Sequence, residues 1–326
     1  MKLTASRRFI ELNQPFRVTF GTLTGLDVID VEVSDGDYTG RGQCCPMSIY
    51  KQTADSTLAD IAAVTPAIEV GEIDRAALQT LMPPSSARNA LDCALWDLEA
   101  KRRGVSAWEV AGLPPRETLE SDVSLGIDTP RDMAARAADL REASCIKLKL
   151  GGEHDLDCVA AVRAELPDMP LFVDVNCGWN LAQLNEYAPR LQELGVFMIE
   201  QPLPPEQDAE LDGYTGPVPL CADESCHDRG DLPRLAGRFA YVNIKLDKTG
   251  GLTEALALAE AADAAGFRCM VGCMLGSGIA MAPAYILGTR CEVVDLDVPL
   301  IARRQGDDYV HHDGARLHLF NSSVWG

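Results

Sequence analysis

Short apolar runs alternate with helical segments through the second half of the chain. Eight β-rich runs follow one another from residue 119 onward: SDVSLGI, CIKLKL, LFVDVNC, VFMIEQP, LCADES, YVNIKL, RCMVGCM and VVDLDVP. Stretches with helical periodicity, such as RDMAARAADLREA and GLTEALALAEAADAAG, lie between them. Repeated βα units form parallel strands, and eight of them favour a closed barrel over an open sheet.

A different pattern opens the chain. The runs KLTASRRFIEL, LDVIDVEV and YTGRGQC are rich in β-forming residues. Turn-forming residues separate these runs at Asn13–Pro15 and at Ser34–Asp37. Residues 1–43 are therefore predicted to form an antiparallel meander.

Helical periodicity follows the meander, over residues 54–110. It is clearest in SSARNALDCALWDLEAKRRG, where apolar residues recur on one helical face. Ser85 or Ser86 can cap this helix at its N-terminus, and Gly104 can end it. The meander and the helices together predict a small α+β unit ahead of the barrel.

The run Leu113-Pro114-Pro115 marks the predicted boundary between these two patterns. We expect a capping domain over residues 1–115 and a barrel over residues 116–300. The polar segment 301–326 is expected to return to the capping domain.

Composition narrows the class of function. The 326 residues carry 29 basic and 49 acidic side chains, a formal charge of −20, which disfavours nucleic acid and anionic membranes as partners. Neither a signal-peptide pattern nor a membrane-length apolar run is present. The 11 cysteines show no metal-binding spacing and are interpreted as reduced thiols. A cytoplasmic protein that acts on a small molecule is expected.

Charged residues lie where the barrel strands end. Strands of a parallel barrel are buried on both faces, so isolated charges there would be costly. The active site of such a barrel also lies at the carboxyl ends of its strands. We therefore expect these charges to pair with one another or to bind a cation. They are Lys147 and Lys149 on the second strand, Asp174 on the third, Glu200 on the fourth, Asp223 on the fifth, Lys245 on the sixth, and Asp295 and Asp297 on the eighth.

The three carboxylates Asp174, Glu200 and Asp223 come from adjacent strands, without cysteine or histidine. Such a set of oxygen ligands suits Mg²⁺ that keeps open positions for water or a substrate carboxylate. Lys149 and Lys245 flank the set in strand order and would face each other in a closed barrel. Partial burial, the metal and the second lysine of the KLK run would lower the pKa of Lys149 and let it act as a base. Two opposed bases beside a metal suit proton exchange at the α-carbon of a carboxylate, which yields the epimer.

These motifs resemble those of the enolase superfamily over nearly the whole chain. IKLKLGG is similar to the family's KxK strand, and DVNCGW, IEQPLPP and ADES are similar to its three metal-ligand segments. NIKLDKTGG resembles the lysine strand of the muconate lactonizing subgroup, and DLDVP resembles the DxD motif of its dipeptide epimerases. The resemblance implies an α/β fold, a modified TIM barrel (β/α)7β without its eighth helix, and an N-terminal α+β capping domain.

The resemblance also implies a role for each site residue. Lys149 and Lys245 would be the catalytic bases, and Lys147 would support Lys149 and contact the substrate carboxylate. The remaining residues would hold the metal or the substrate: Asp174, Glu200 and Asp223 as Mg²⁺ ligands, Asp295 and Asp297 as partners of the substrate α-ammonium, and Glu224 and Asn176 outside the metal ligands, with Glu224 orienting Lys245.

The implied enzyme is an isomerase, a Mg²⁺-dependent dipeptide epimerase. It would transfer a proton at the α-carbon of the C-terminal residue through a metal-stabilised enediolate. The L-Ala-D/L-Glu type, which serves murein peptide metabolism, is the leading expectation. Formation of a homo-oligomer is left open.

The capping-domain loop FRVTFGTLTGLD keeps a second specificity open. Family members that act on Ala-Glu tend to carry arginine here, whereas this chain has Phe20, Leu23 and Asp27, with Arg17 nearby and Lys51 in the next loop. A dipeptide with a neutral or hydrophobic second residue is therefore an alternative substrate.

Two further alternatives concern the reaction. One is o-succinylbenzoate synthesis or muconate cycloisomerisation, which does not require the DxD carboxylates for an ammonium group. The other is a catalytically silent barrel that binds a small molecule, which does not require a base on each side.

Overall fold

The structure, a computed structural model, describes residues 1–304 and 309–326. Its N-terminal part is a three-stranded antiparallel sheet covered by helices, as the sequence predicts. The strands are β1 (Lys2–Val18), β2 (Gly21–Asp35) and β3 (Tyr38–Cys44), and the helices are α1 (Ala54–Glu69), α2 (Arg75–Leu81), α3 (Ser86–Arg103) and α4 (Ala107–Ala111).

Strand β1 continues through the segment predicted to be the first turn. Asn13–Pro15 lie within it, at a point where pairing with β2 shifts between Glu11 and Phe16, and the chain reverses only at residues 19–20. Because β1 is an edge strand and the irregularity leaves residues unpaired, the missing N–H of Pro15 is tolerated. The first predicted turn is therefore wrong, whereas the second lies between β2 and β3 as predicted.

Helix α3 packs directly against β3 and is largely buried. The Ser85 hydroxyl accepts a hydrogen bond from the Arg88 N–H, and Gly104 ends the helix with a φ of 64°, as predicted. A Cβ added to Gly42 of β3 would clash with the Ala90 carbonyl oxygen of α3. The strand therefore reaches the helix backbone only because this residue has no side chain.

A short strand, β4 (Thr118–Glu120), precedes the barrel. Within the described residues the barrel sheet has eight parallel strands in sequence order. The first and last strands also meet, since the Asp122 N–H donates to the Val294 carbonyl oxygen at 2.9 Å. This confirms the predicted barrel. Its strands are β5 (Val123–Leu125), β6 (Ile146–Lys149), β7 (Leu171–Asp174), β8 (Val196–Glu200), β9 (Leu220–Ala222), β10 (Tyr241–Ile244), β11 (Arg268–Gly272) and β12 (Val293–Asp295).

Helices of varied length connect the barrel strands. They are α5 (Pro130–Ala138), α6 (Asp155–Glu165), α7 (Leu181–Glu193), α8 (Leu232–Leu235), α9 (Leu246–Thr249), α10 (Leu252–Ala264) and α11 (Gly278–Gly288), with a 3-10 helix over Pro205–Leu211. In the described chain the only helix after the eighth strand is the four-residue α12 (Val298–Ile301), which agrees with the predicted (β/α)7β fold. None of the described helices has the length and apolar character needed to cross a bilayer.

The C-terminal segment contacts both parts of the chain. A third sheet joins β4 to β13 (His312–Asp313) and β14 (Arg316–His318). The buried Trp325 donates from its indole Nε1 to the carbonyl oxygens of Arg41, at 2.9 Å, and Cys93, at 3.1 Å. The part of this segment at residues 305–308 lies outside the described residues. The domain limits at residues 115 and 300 stay predictions.

The N-terminal part, called the cap from here on, is bonded to the barrel through buried polar groups. The Arg88 guanidinium of α3 donates to the carbonyl oxygens of Thr249 (2.6 Å) and Gly250 (3.1 Å) at the end of α9. The Asp247 carboxylate accepts a hydrogen bond from the Cys45 N–H at 3.0 Å. These bonds fix the cap beside the loop that follows β10.

Candidate active site

A cavity lies between the cap and the carboxyl ends of the barrel strands. The barrel lines it with charged side chains and the cap lines it with mostly apolar ones. From the sequence-predicted set, the cavity is lined by Lys147, Lys149, Asn176, Asp223, Glu224, Lys245, Asp295 and Asp297. The other two, Asp174 and Glu200, lie against Lys147. The structure thus brings together all the predicted site residues.

Asp174, Glu200 and Asp223 converge at the floor of this cavity. One carboxylate oxygen from each lies within 4.8 Å of the others, and all three side chains are buried. Asp174 ends β7, Glu200 ends β8 and Asp223 follows β9, so neighbouring parallel strands deliver them to the same edge.

One buried oxygen of these three carboxylates has no hydrogen bond in the described chain. Glu200 Oε2 lies 2.8 Å from Lys147 Nζ without the alignment of a hydrogen bond, and it has no other hydrogen-bond partner in the described chain. Burial and the neighbouring Asp174 carboxylate raise the pKa of Glu200 to about 7. Three buried carboxylates, one with an oxygen left unbonded, offer the oxygen ligands that Mg²⁺ prefers, so the set fits Mg²⁺.

Lys149 lies on one side of the three carboxylates. Its Nζ is 2.5 Å from Asp174 Oδ2 and 3.2 Å from Asn176 Oδ1, and its side chain is 12% exposed. The ammonium group is therefore held in place while still reaching the cavity. Lys147, two residues earlier on the same strand, points the same way, as the alternation of the strand predicts.

Lys245 lies on the other side. Its Nζ is 2.7 Å from Asp223 Oδ2. Burial lowers the pKa of Lys245, but the carboxylates of Asp223 and Glu200, together with Tyr50, outweigh this and raise it well above its ordinary value. These carboxylates favour the ammonium form of Lys245, and a cation held by Asp223 would weaken that preference.

Lys248 is a site residue that the sequence interpretation missed. Its fully buried Nζ donates to Asp223 Oδ1 at 2.6 Å and to the Asn243 carbonyl oxygen at 2.8 Å. Lys245 and Lys248 therefore fix the two oxygens of Asp223 from different sides. The signal was present in the run NIKLDKTGG, in which a second lysine follows the first by less than one helical turn.

Lys147 joins the metal-type carboxylates to a second acidic group. Its Nζ lies 3.0 Å from Asp174 Oδ2, 2.8 Å from Glu200 Oε2 and 2.6 Å from Asp295 Oδ2. Burial lowers the pKa of Lys147, and the surrounding carboxylates outweigh it and raise it well above its ordinary value. This lysine therefore carries a permanent charge between the two acidic groups.

Asp295 and Asp297 lie close together, but not in the way the sequence predicts. Asp295 ends β12, whereas Asp297 lies beyond the strand, with helical backbone angles at the start of α12. The prediction that both lie on the eighth strand is wrong for Asp297, because the strand ends at Asp295 and the chain turns there. The Asp297 carboxylate instead reaches the cavity through the turn, where it accepts a hydrogen bond from the Ser124 N–H at 2.9 Å.

Glu224 contacts Asn176 rather than Lys245. Its Oε1 accepts a hydrogen bond from Asn176 Nδ2 at 3.3 Å, and no hydrogen bond or ion pair joins it to Lys245 in the described residues. Burial and the nearby Asp223 and Asp174 carboxylates raise the pKa of Glu224 to about 8. Glu224 is therefore linked through Asn176 to Lys149, and its role in orienting Lys245 stays a prediction.

The cap side of the cavity is apolar. Phe16, Val18, Phe20, Leu23, Leu26, Met47 and Ile49 line it, together with Tyr50, whose ring packs edge-on against His227. Arg17 alternates with its two apolar neighbours on β1 and does not line the cavity, and neither does Lys51. Asp27 pairs with Arg7. Among the described residues, the cavity's cations are therefore the barrel lysines alone.

Comparison with known proteins places this geometry in a family. Residues 3–112 match the mandelate racemase / muconate lactonizing enzyme N-terminal domain, and residues 131–311 match the enolase C-terminal domain-like family. The L-Ala-D/L-Glu epimerase of Escherichia coli (strain K12) is 42% identical over 94% of this chain and 96% of its own. An N-acetyl-D-glutamate racemase of a Pseudoalteromonas species is 38% identical over 92% of this chain and 95% of its own.

Solved structures agree with the sequence matches. An enolase family member from Agrobacterium tumefaciens, with homology to dipeptide epimerases, superposes with a TM-score of 0.96 at 39% identity and covers 99% of both chains. That protein was solved with sodium and L-Ala-L-Glu bound. Other dipeptide epimerases with this fold were solved with Mg²⁺ and a dipeptide. This chain is therefore a member of the enolase superfamily and of its mandelate racemase / muconate lactonizing enzyme branch.

Proposed function

We propose that this protein is a Mg²⁺-dependent dipeptide epimerase that inverts the α-carbon of the second residue. The observation that carries the proposal is the position of Lys149 and Lys245 on opposite sides of three buried carboxylates in one cavity. A protein that only binds a ligand has no need for a base on each side. Relatives and solved neighbours that are epimerases support the same reaction class.

The metal would be held by Asp174, Glu200 and Asp223. When bound, Mg²⁺ supplies positive charge that stabilises a substrate carboxylate while the adjacent carbon loses its proton. Lys248 and Lys147 hold the carboxylates in position from below. These roles explain why four buried or nearly buried lysines surround so many acidic groups.

The two lysines would exchange the α-proton. One amine removes the proton from its face of the α-carbon, and the opposing ammonium group donates a proton from the other face. Asn176 positions Lys149 through a 3.2 Å hydrogen bond, and Asp223 positions Lys245. The configuration of the carbon is thereby inverted, and each lysine ends in the protonation state in which the other began.

The acidic pair Asp295 and Asp297 would receive the α-ammonium of the substrate. Both line the cavity and are nearly fully buried, so a cation there exchanges water for two carboxylates. This observation favours a dipeptide over o-succinylbenzoate or muconate chemistry, whose substrates lack an ammonium group. Lys147 pairs with Asp295, and the ammonium group of the substrate would add the second positive charge on this side of the cavity.

Two specificities compete for the second residue of the dipeptide. Similarity to the enzyme of Escherichia coli supports the L-Ala-D/L-Glu type. The apolar cap wall, which offers no cation to a glutamate side chain, favours a neutral or hydrophobic residue. Both belong to the same reaction, and the choice between them is set by the cap.

The test of the reaction is α-deuteration in D₂O. A library of L-L dipeptides is incubated with the enzyme and Mg²⁺, and mass gain at one carbon is followed by mass spectrometry. We expect gain of one deuterium in the second residue, together with formation of the L-D epimer. Absence of deuterium exchange in every L-L dipeptide would refute the proposed reaction.

The test of specificity is Leu23→Arg. A guanidinium in the cap wall can pair with a glutamate side chain, so the ratio of kcat/KM for L-Ala-L-Glu to that for L-Ala-L-Leu should rise about tenfold or more. Leu23→Met, which keeps the wall apolar, is the matched control. An unchanged ratio in Leu23→Arg would show that the second side chain does not face this part of the cap.

We also propose a cytoplasmic location. All 11 cysteines are free thiols, which suits a reducing compartment.

A further inference from the structure

A third carboxyl group, that of Asp122, lies behind the pair formed by Asp295 and Asp297. One carboxylate oxygen from each of the three lies within 4.8 Å of the others. Asp122 is only 2% exposed and does not line the cavity, in contrast to the other two. Its backbone N–H is bonded to Val294, which fixes it between the first and last barrel strands.

No donor in the described chain reaches the buried oxygens of the Asp122 side chain. A buried carboxyl group without a donor is costly, and two further carboxyl groups beside it increase the cost. Burial, followed by Asp295 and Asp297, raises the pKa of Asp122 well above its usual range, which expresses the same cost. The hydrogen-bonding contact of Asp122 is with the Asp295 carboxyl group, which raises the pKa of Asp122 further.

The neighbouring lysine does not supply enough positive charge to remove this cost. Lys147 Nζ lies 2.6 Å from Asp295, but Asp174 and Glu200 share the same ammonium group. Lys147 can therefore neutralise Asp295 only in part. Asp297 accepts a hydrogen bond from a backbone N–H, and no donor reaches Asp122. The three carboxyl groups are built for one more cation than the chain itself provides.

We propose that Asp122 is a positioning residue that acts through Asp295 and Asp297 to bind the α-ammonium of the substrate and to select it against N-acylated amino acids. This inference rests on the proposed function and deepens it. An ammonium group between Asp295 and Asp297 favours the ionised form of all three carboxyl groups and offsets their charge. A neutral N-acetyl group at the same place leaves them uncompensated and also forfeits its own hydration.

The chemistry favours an organic ammonium over a second metal ion. Asp122 does not line the cavity, so a ligand that enters from it meets only Asp295 and Asp297, and an ammonium group can donate an N–H to each of them. A singly charged ammonium group can donate hydrogen bonds to Asp295 and Asp297 from the cavity. Asp122, on the far side of this pair, adds electrostatic attraction without touching the ligand. The selection is of interest because one similar protein is an N-acetyl-D-glutamate racemase.

The test compares wild type with Asp122→Asn. KM and kcat are measured by D₂O exchange for L-Ala-L-Glu and L-Ala-L-Leu, and Ki is measured for N-acetyl-L-glutamate and N-acetyl-L-leucine as competitive inhibitors. We expect KM for the dipeptides to rise about tenfold, with kcat within about threefold and Ki unchanged or lower. Asp157→Asn, which removes one negative charge from an exposed position on α6, is the control and should change neither constant.

Thermal unfolding separates this role from a structural one. Removing an unpaired buried carboxyl group should leave the Tm of the ligand-free protein unchanged or higher, whereas loss of a structural residue lowers it. A lower Tm of Asp122→Asn, together with an equal loss of affinity for the dipeptides and for the N-acetyl compounds, would overturn the inference. So would full retention of dipeptide affinity in Asp122→Asn with loss in Asp122→Ala, because hydrogen bonding would then replace charge as the cause.

The two proposals fail in different ways. If wild type exchanges no dipeptide, both the proposed function and this inference are refuted. If wild type exchanges dipeptides but the ratio of Ki to KM is the same in Asp122→Asn, only the role of Asp122 is refuted. A fall of about tenfold in that ratio, against an unchanged Asp157→Asn, supports it.

Discussion

Alanine at Lys149 or at Lys245 is expected to lower the rate of epimerisation by about 10²- to 10⁴-fold, the usual contribution of a positioned acid or base. Each variant still holds the opposing lysine, so it can exchange the α-proton of at most one of the two epimers without inverting the carbon. The measurement is deuterium incorporation in D₂O, started separately from the L-L and the L-D dipeptide and followed with chiral separation of the products.

The two-base assignment makes a further, stricter demand on this experiment. The epimer whose exchange survives in Lys149→Ala must be the one whose exchange is lost in Lys245→Ala. Lys51→Ala, at an exposed position outside the cavity, is the control and should retain both exchange and inversion. Equal and full exchange of both epimers in either site variant would contradict the assignment of Lys149 and Lys245 as opposed bases.

Removal of divalent cations is the second change with a large expected effect. Treatment with EDTA followed by desalting should abolish exchange, because the carboxylate of the substrate then loses the charge that stabilises it. Added Mg²⁺ should restore activity. Glu200→Gln should raise the Mg²⁺ concentration for half-maximal activity about tenfold or more, because the carboxylate with the unbonded buried oxygen is the one replaced.

A matched variant distinguishes metal binding from general damage. Glu254→Gln changes another buried glutamate, one that pairs with Arg229 on the outside of the barrel. It should leave the Mg²⁺ dependence unchanged. Activity that survives EDTA, or a Glu200→Gln variant with the wild-type Mg²⁺ dependence, would show that the three carboxylates do not hold the functional cation.

The barrel was predictable from the sequence because its signal repeats. Each strand is a short apolar run followed by turn residues, and six of the eight runs carry charged residues near their ends, so these weak local signals support one another. The same logic located the three carboxylates and the two opposed lysines, since parallel strands deliver their ends to one edge. Their placement required no knowledge of side-chain contacts.

Predictions that depended on one local signal failed more often. Asn13–Pro15 reads as a turn, but pairing of the long edge strand with β2 outweighs the local preference and leaves only an irregularity. Asp297 reads as a strand residue because it lies two positions after Asp295, yet the strand ends first. Local composition does not show where a barrel strand leaves the sheet.

Contacts between distant residues were beyond reach for a different reason. Asp122 precedes a strand in an ordinary polar context, and only closure of the barrel places it behind Asp295. Glu224 was assigned to Lys245 by resemblance, whereas its side chain meets Asn176. Which partner a buried polar group chooses is decided by three-dimensional packing, not by sequence spacing.

The hairpin of β1 and β2 has a consequence for how such a protein can change. Its inner side chains form most of the apolar wall, while every lysine and carboxylate proposed for proton exchange comes from the barrel. Mutations that reshape the hairpin can therefore alter which substrates are accepted without passing through an inactive intermediate. The reaction and the range of substrates can therefore change independently of each other within this one chain.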